Sequence, residues 1–449
     1  MTIKTHIKEN FHLAYPVMLS NLGHVLIGVG DNIMVGHVGA TELAAAGLAN
    51  VIFNVLMLFG IGVSYAITPL VAAADGERND RSIIETLRHG LAINFVNGIV
   101  LVAVVLVGQN LLNHLDQPPE VVALAIPYLS IITFSLIPML IFQSFKQFAE
   151  GLSNTKLSLI IIILANVVNI VMNYVLIYGH AGFPAMGLNG AGWATLISRI
   201  FMAAAIALYI YHSPVFKKYR LGFSIGNYAK SIFNKMLHIG IPAGVQFIFE
   251  VAAFDFSLVM MGWLGAKTQA AHQIAINLAT LSYMTTAGLA AAATIRVSYF
   301  LGRKDIKNLR LASYTLLGMA LVMMTACAFV FVFGRNILPG FYVEDSEVLA
   351  TASSLLIVAG LFQLSDGTQV VCIAALRGLH DVKIPSVLIF ISYWIIGLPL
   401  GYWRTFILGY GPLGIWLGLF IGLTLTAIAM FLRFRLMVNK LTKPVETGI

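Results

Sequence analysis

Charge is what this chain has least of. Asp, Glu, Lys and Arg make up 10% of its 449 residues, where a soluble protein carries about a quarter. With 59% hydrophobic residues, that shortage excludes a water-soluble globule. Cysteine is nearly missing as well. Cys327 and Cys372 both lie inside apolar runs, which excludes a disulfide framework and a cysteine zinc site. No HExxH or P-loop occurs, and no acid, base and nucleophile fall together. Neither an enzyme nor an ATP-driven pump within this chain is therefore expected. Short alternating segments are missing too, which excludes a membrane barrel. Backbone groups in hydrocarbon must be bonded within their own segment, so the apolar runs are helices. The expected fold class is an all-α integral membrane protein.

What the chain does have is apolar length. About 20 helical residues cross a bilayer core of about 30 Å. Twelve runs reach that length, near 11–34, 46–72, 88–110, 121–143, 157–178, 188–212, 236–263, 270–297, 309–333, 347–373, 384–404 and 409–434. The net charge of +8 sits in short loops between them, a topology signal rather than a nucleic-acid surface. With the N-terminus in the cytoplasm, 23 of the 27 Lys and Arg fall on the inner side. Lys267, Arg335 and Arg404 fall outside, and Arg199 within a span. Both termini are thus expected in the cytoplasm, in a multi-pass protein of the plasma (inner) membrane. The basic start leads into a run too long for a signal peptide and containing Asp31, so it reads as an uncleaved first span.

A repeat organises the twelve runs. At a shift of 226, IMVGHVGATELAAAGLA from Ile33 lies over VMMGWLGAKTQAAHQIA from Val259, and Pro16, Thr68 and Gly76 lie over Pro242, Thr294 and Gly302. At 227, EGLSNTK from Glu150 lies over RGLHDVK from Arg377. Six spans per copy is an even number, so the copies are parallel repeats about an axis along the membrane normal. The expected domains are an N-lobe over 1–212, a basic cytoplasmic linker over 213–235 and a C-lobe over 236–449. Two such lobes suggest a central cavity that rocking would open to alternate sides. Pro16 and Pro242 each remove a backbone donor from the first span of a lobe and favour a kink.

Three acids break the apolar frame. Asp31, Glu250 and Asp366 lie inside spans one, seven and ten, over Ser257, His24 and Met139 of the other copy, so none recurs. A charge at bilayer depth is costly unless paired, hydrated or protonated. Ion or proton handling is therefore the first reading, and a structural hydrogen-bond network the second. Asn21, His24 and Gly28 share the face of Asp31; Asn166, Asn169 and Asn173 repeat along span five; Thr195 follows GLNGAGWA in span six. A carboxylate with carboxamide and hydroxyl oxygens suits Na⁺ or a hydrogen-bonded proton. The asparagines serve equally well as glue between helices.

Glu250 and Asp366 make the second site, with Gln363 and Gln369 three residues either side of Asp366, and Ser365 and Thr368 beside it. Two neighbouring buried carboxyl groups compete for one proton or one Na⁺. Either a proton or Na⁺ is thus expected at Glu250 and Asp366, or at Asp31 and Asn173. Asp255 lies about 140° round the helix from Glu250, on a second face of the lobe interior. Arg199 is either an ion partner for an acid or a clamp on carbonyls, the clamp preferred. Arg296 is expected to snorkel from the end of its span. His24 and His272 read as hydrogen-bonding packers able to titrate. Lys146 and Glu150, one turn apart, form a helix-end pair.

Taken together these residues resemble the multidrug and toxic compound extrusion (MATE) family, in its NorM-type branch, over nearly the whole chain. The likeness is carried by GDNIMVGHVG in the first span, NIVMNYVLIYG in the fifth and PAGVQFIFE in the seventh. TQAAHQIAIN and ATIRVSYFLG flank the eighth, and FQLSDGTQV with AALRGLHD surrounds the tenth. The resemblance implies a V of two lobes, an antiporter that expels organic, often cationic compounds against inward Na⁺ or H⁺. By position, Asp31, Glu250 and Asp366 match the family's essential membrane acids, and Asn169, Asn173 and Thr195 match polar neighbours of the first. The chain departs from the family at Asn173, an aspartate in some relatives, and at Phe362, often a tyrosine in NorM-type proteins. No cofactor beyond the coupling ion is expected. The expected partners are the bilayer and small organic cations, with the protein a monomer. A flippase for a lipid-linked saccharide is the nearest rival, although it would favour a basic cavity for pyrophosphate. An intramembrane enzyme is the rival from another class.

Overall fold

The computed structural model describes residues 1–114, 117–223, 226 and 228–442. Residues 224, 225 and 227 of the expected linker, and the C-terminal end with Lys443, lie outside the described residues. No strand occurs among the described residues, and 12 helices are long and apolar enough to cross a membrane. They are α1 (Ile3–Gly36), α2 (Ala40–Gly76), α3 (Asp80–His114), α4 (Pro119–Gly151), α5 (Lys156–Tyr178) and α6 (Gly187–His212). Then come α7 (Lys230–Trp263), α8 (Ala266–Gly302), α9 (Ile306–Gly334), α10 (Ser346–Gly378), α11 (Lys383–Ile407) and α12 (Pro412–Thr442). Every expected span finds its helix, in order. The last, expected from 409, starts at Pro412 because Gly409 and Gly411 take positive φ of 75° and 60°, and proline suits a first helical position.

Contacts divide the chain into two compact units: Leu19–Gly244, and Met1–Met18 together with the chain from Val245. Both divisions fall two residues after a proline, Pro16 and Pro242. The opening turns of α1 thus pack with the unit from Val245, and α7 as far as Gly244 packs with the other. In the first of these packings, Leu13 and Ala14 join Leu289, Ala292, Ala293, Leu316 and Ala320 in one buried cluster. Asn10 donates to Thr315 Oγ1 at 2.9 Å. Arg296 does not snorkel: it is 9% exposed, lies over the Phe300 ring and donates to His6 Nδ1 at 3.1 Å. A buried guanidinium needs such partners, and the incoming helix supplies the imidazole.

The repeat extends to the backbone. Arg78 and Lys304 take left-handed φ of 58° and 56°, as Ser153 and His380 do at 64° and 62°. Asn79 N and Asp305 N close equivalent turns onto the carbonyls of Ala74 and Phe300. The same two side chains then cap α3 and α9 by accepting from Ser82 N and Asn308 N. Thr68 donates to the Gln147 carbonyl at 3.1 Å, and Thr294 to the Ala374 carbonyl at 2.9 Å.

One seam carries the second site from behind. Gly397 and Gly401 of α11 face Gly418 and Gly422 of α12, Gly414 packs on Thr405, and a Cβ on Gly418 would meet the Gly397 oxygen at 2.5 Å. Small residues every fourth position let two helix backbones touch. Within α11 the residues Ile391–Gly397 and Trp403–Ile407 are wound as π-helix.

Candidate functional site

Within the Leu19–Gly244 unit, α1, α5 and α6 converge on Asp31. Asn173 Nδ2 donates to Asp31 Oδ1 at 2.5 Å, and Thr195 Oγ1 donates to Oδ2 at 3.1 Å. Asn173 also donates to Asn169 Oδ1 at 3.2 Å. Both asparagines are fully buried, and Asn173 Oδ1 and Asn169 Nδ2 have no partner among the described residues. The cluster therefore holds a carboxylate beside an unused carboxamide oxygen, a hard-ligand set. Asn166 does the other job open to an asparagine. It donates to the carbonyls of Gly23 at 3.1 Å and Ile162 at 2.9 Å, gluing α1 to α5.

Four other residues of this unit stand outside that hydrogen-bond cluster. His24 sets its ring at 6.3 Å from Phe142, with Nε2 buried and unbonded among the described residues. Lys146 and Glu150 face each other at 3.9 Å, both nearly fully buried, and Ser158 donates to Glu150 at 3.4 Å. Among the described residues Arg199 forms no ion pair with an acid and no hydrogen bond to a carbonyl. Its guanidinium donates to Ser135 Oγ at 2.7 Å, reaches Met57 Sδ at 3.7 Å and covers the Phe53 ring at 4.8 Å. A delocalised, weakly hydrated cation is well matched to a ring and a sulfur.

In the other unit, Glu250 stands on α7 and Asp366 on α10. Gln369 Nε2 donates to Glu250 Oε1 at 2.7 Å, and Gln369 Oε1 accepts from the Tyr393 hydroxyl at 3.1 Å. Asp366 is 8% exposed. Gln363 is fully buried, with neither amide atom bonded among the described residues. Ser365 turns instead to Thr424 at 3.0 Å, and Thr368 to its own helix. Asp255, expected on an interior face, is exposed: the turn of the helix that separates it from Glu250 carries it out of the unit's packed core. His272 is a packer, its Nδ1 accepting from Trp416 Nε1 at 3.0 Å, and Phe362 stacks on that same indole at 5.6 Å.

Among the described residues none of Asp31, Glu250 and Asp366 is in an ion pair. The hydrogen-bond donors to Asp31 and Glu250 are uncharged carboxamides and a hydroxyl. The sequence reading missed Tyr393 and its neighbour Trp394, whose Nε1 donates to the Phe249 carbonyl at 2.9 Å. An aromatic pair in an aromatic-rich membrane chain carries no mark, and the π-turn that aims it has no periodic signature.

Comparison with known proteins follows the same division. The MatE family model matches twice, over residues 16–175 and 242–403. The probable multidrug resistance protein NorM of Agrobacterium fabrum is 35% identical over 441 residues, covering 97% of this chain and 95% of that protein. Multidrug resistance protein MdtK of Yersinia pseudotuberculosis is 33% identical, covering 94% of each. Among solved structures, a MATE transporter in the bent conformation superposes with a TM-score of 0.89 at 19% identity, covering 98% of both chains. The eukaryotic MATE transporter AtDTX14 gives 0.87 at 19% identity, also over 98% of both.

Proposed function

Because this chain belongs to the MatE family, we propose that it is a multidrug efflux transporter that exchanges organic cations for inward Na⁺ or H⁺ by alternating access. It is a multi-pass membrane protein and not an enzyme. The observation that carries the reading is the pair of acidic clusters, each dressed by neutral hydrogen-bond donors and, among the described residues, in no ion pair. Such a charge is worth keeping in an apolar interior only where something positive is taken up and released.

Entry of a cation from outside neutralises Glu250 and Asp366, or Asp31, and weakens the hold on a cationic substrate. Ion and drug compete for the same negative charge, which makes their exchange obligatory. One elementary charge moving down 100 mV supplies about 2.3 kcal/mol, enough for about 50-fold accumulation. The chain sits in the plasma (inner) membrane with both termini in the cytoplasm, as its basic loops imply. The multidrug names of the relatives favour drug export over flipping of a lipid-linked saccharide.

Dye efflux from reconstituted vesicles under an imposed Na⁺ or pH gradient tests the reading. Glu250→Gln, Asp366→Asn and Asp31→Asn are expected to slow gradient-driven efflux, the essential acid by tenfold or more. Wild-type rates in all three variants would sink it.

A further inference from the structure

We propose that Tyr393 is a positioning residue for the coupling cation, acting by deciding which end of the Gln369 carboxamide faces Glu250. The inference rests on the reading of Glu250 as a coupling acid. A carboxamide is two-faced, with donors at one end and an acceptor at the other. Tyr393 removes the ambiguity: its hydroxyl donates to Gln369 Oε1 at 3.1 Å, which leaves Nε2 to donate to Glu250 Oε1 at 2.7 Å. Both Tyr393 and Gln369 are fully buried, so water does not compete for either bond. Without the hydroxyl, Gln369 is free to turn its oxygen toward Glu250. The carboxylate then loses a donor and gains a facing acceptor.

The winding of α11 makes the contact. Tyr393 reaches α10, while the next residue, Trp394, reaches α7 and holds the carbonyl of Phe249, beside Glu250. Consecutive residues of an α-helix point about 100° apart, and the π-turn Ile391–Gly397 lies where these two must grip different helices. Phe390 adds a ring contact to Phe249 at 4.8 Å. The glycine seam behind, backbone against backbone, leaves α11 no room to withdraw.

Losing a donor makes an anion hungrier for a cation. In full-length protein reconstituted into vesicles, Tyr393→Phe keeps the ring and removes only the hydroxyl. Its half-maximal Na⁺ concentration for dye efflux at fixed pH, or its half-maximal proton concentration without Na⁺, is expected to fall about tenfold, the worth of one hydrogen bond to a charged group. Gln369→Leu removes the same donor and should give the same shift, and the double variant should add nothing further. An unchanged half-maximal value in Tyr393→Phe, or in Gln369→Leu should the first variant not reach the membrane, overturns the proposal. So does a full sum of the two effects in the double variant. Glu250→Gln separates the two ideas. If it keeps the wild-type cation dependence, the reading of Glu250 fails; if it abolishes that dependence while Tyr393→Phe changes nothing, only the role of Tyr393 fails.

Discussion

At the scale of single residues, what distinguishes one buried acid from another is the company it keeps. Asp31 and Glu250 are met by carboxamide and hydroxyl donors, whereas Glu150 is met by Lys146 at 3.9 Å. The acids and the asparagine row were legible because a carboxylate or a repeated amide in an apolar run is conspicuous. The sorting of that row was not: Asn166 and Asn173 look alike along one helix, and only the neighbours of each tell a tie between helices from a donor to Asp31. Arg199 makes the same point. Arg199→Leu removes a hydrogen bond and a cation–ring contact, together worth about 1–3 kcal/mol. It should lower the thermal unfolding midpoint in detergent while leaving the cation dependence of efflux in place.

At the scale of helices, hydropathy located every span, but ends and joints obey local chemistry. The cap residues Asn79 and Asp305 occupy equivalent positions and differ in charge. Replacing either by alanine should cost about 1 kcal/mol of stability, measured by unfolding in detergent. Their pH dependence should differ. Donation by the Asn308 side chain and backbone holds the Asp305 carboxyl below the usual carboxylate range. Its contribution is therefore complete above the ordinary carboxylate pKa and is lost as pH falls through the lower, folded value. Asn79 has no charge to lose, so the penalty of Asn79→Ala should stay constant while that of Asp305→Ala shrinks in acid. The glycine seam invites a harsher test. Gly418→Leu drives a side chain into the Gly397 carbonyl, and should separate α11 from α12 and abolish efflux together with thermal stability.

At the scale of the whole molecule, the duplicated sequence becomes two units with matching turns, caps and threonine bonds. The predicted topology puts Lys267 outside and Lys304 inside. In a background lacking Cys327 and Cys372, a cysteine at 267 should react with an impermeant maleimide added to intact cells. One at 304 should react only after the cells are opened. The reverse pattern would invert the membrane orientation and, with it, the direction of proposed transport. Where the units divide was not legible. A repeat aligns Pro16 with Pro242 but is silent on which unit each opening segment packs into, because that depends on the surfaces meeting there, such as Asn10 on Thr315.

By composition alone the chain was bound to be a bundle of membrane helices: so few charges and such long apolar runs leave the backbone no other way to satisfy its polar groups in lipid. The same order of residues also announced the duplication and the three unmatched acids. Only tertiary structure decided what surrounds each acid, that a π-turn in α11 brings Tyr393 to Gln369, and that Arg199 rests on a ring rather than on a carboxylate. Spacing along one helix determines which residues share a face; what that face meets depends on how helices distant in sequence come to pack.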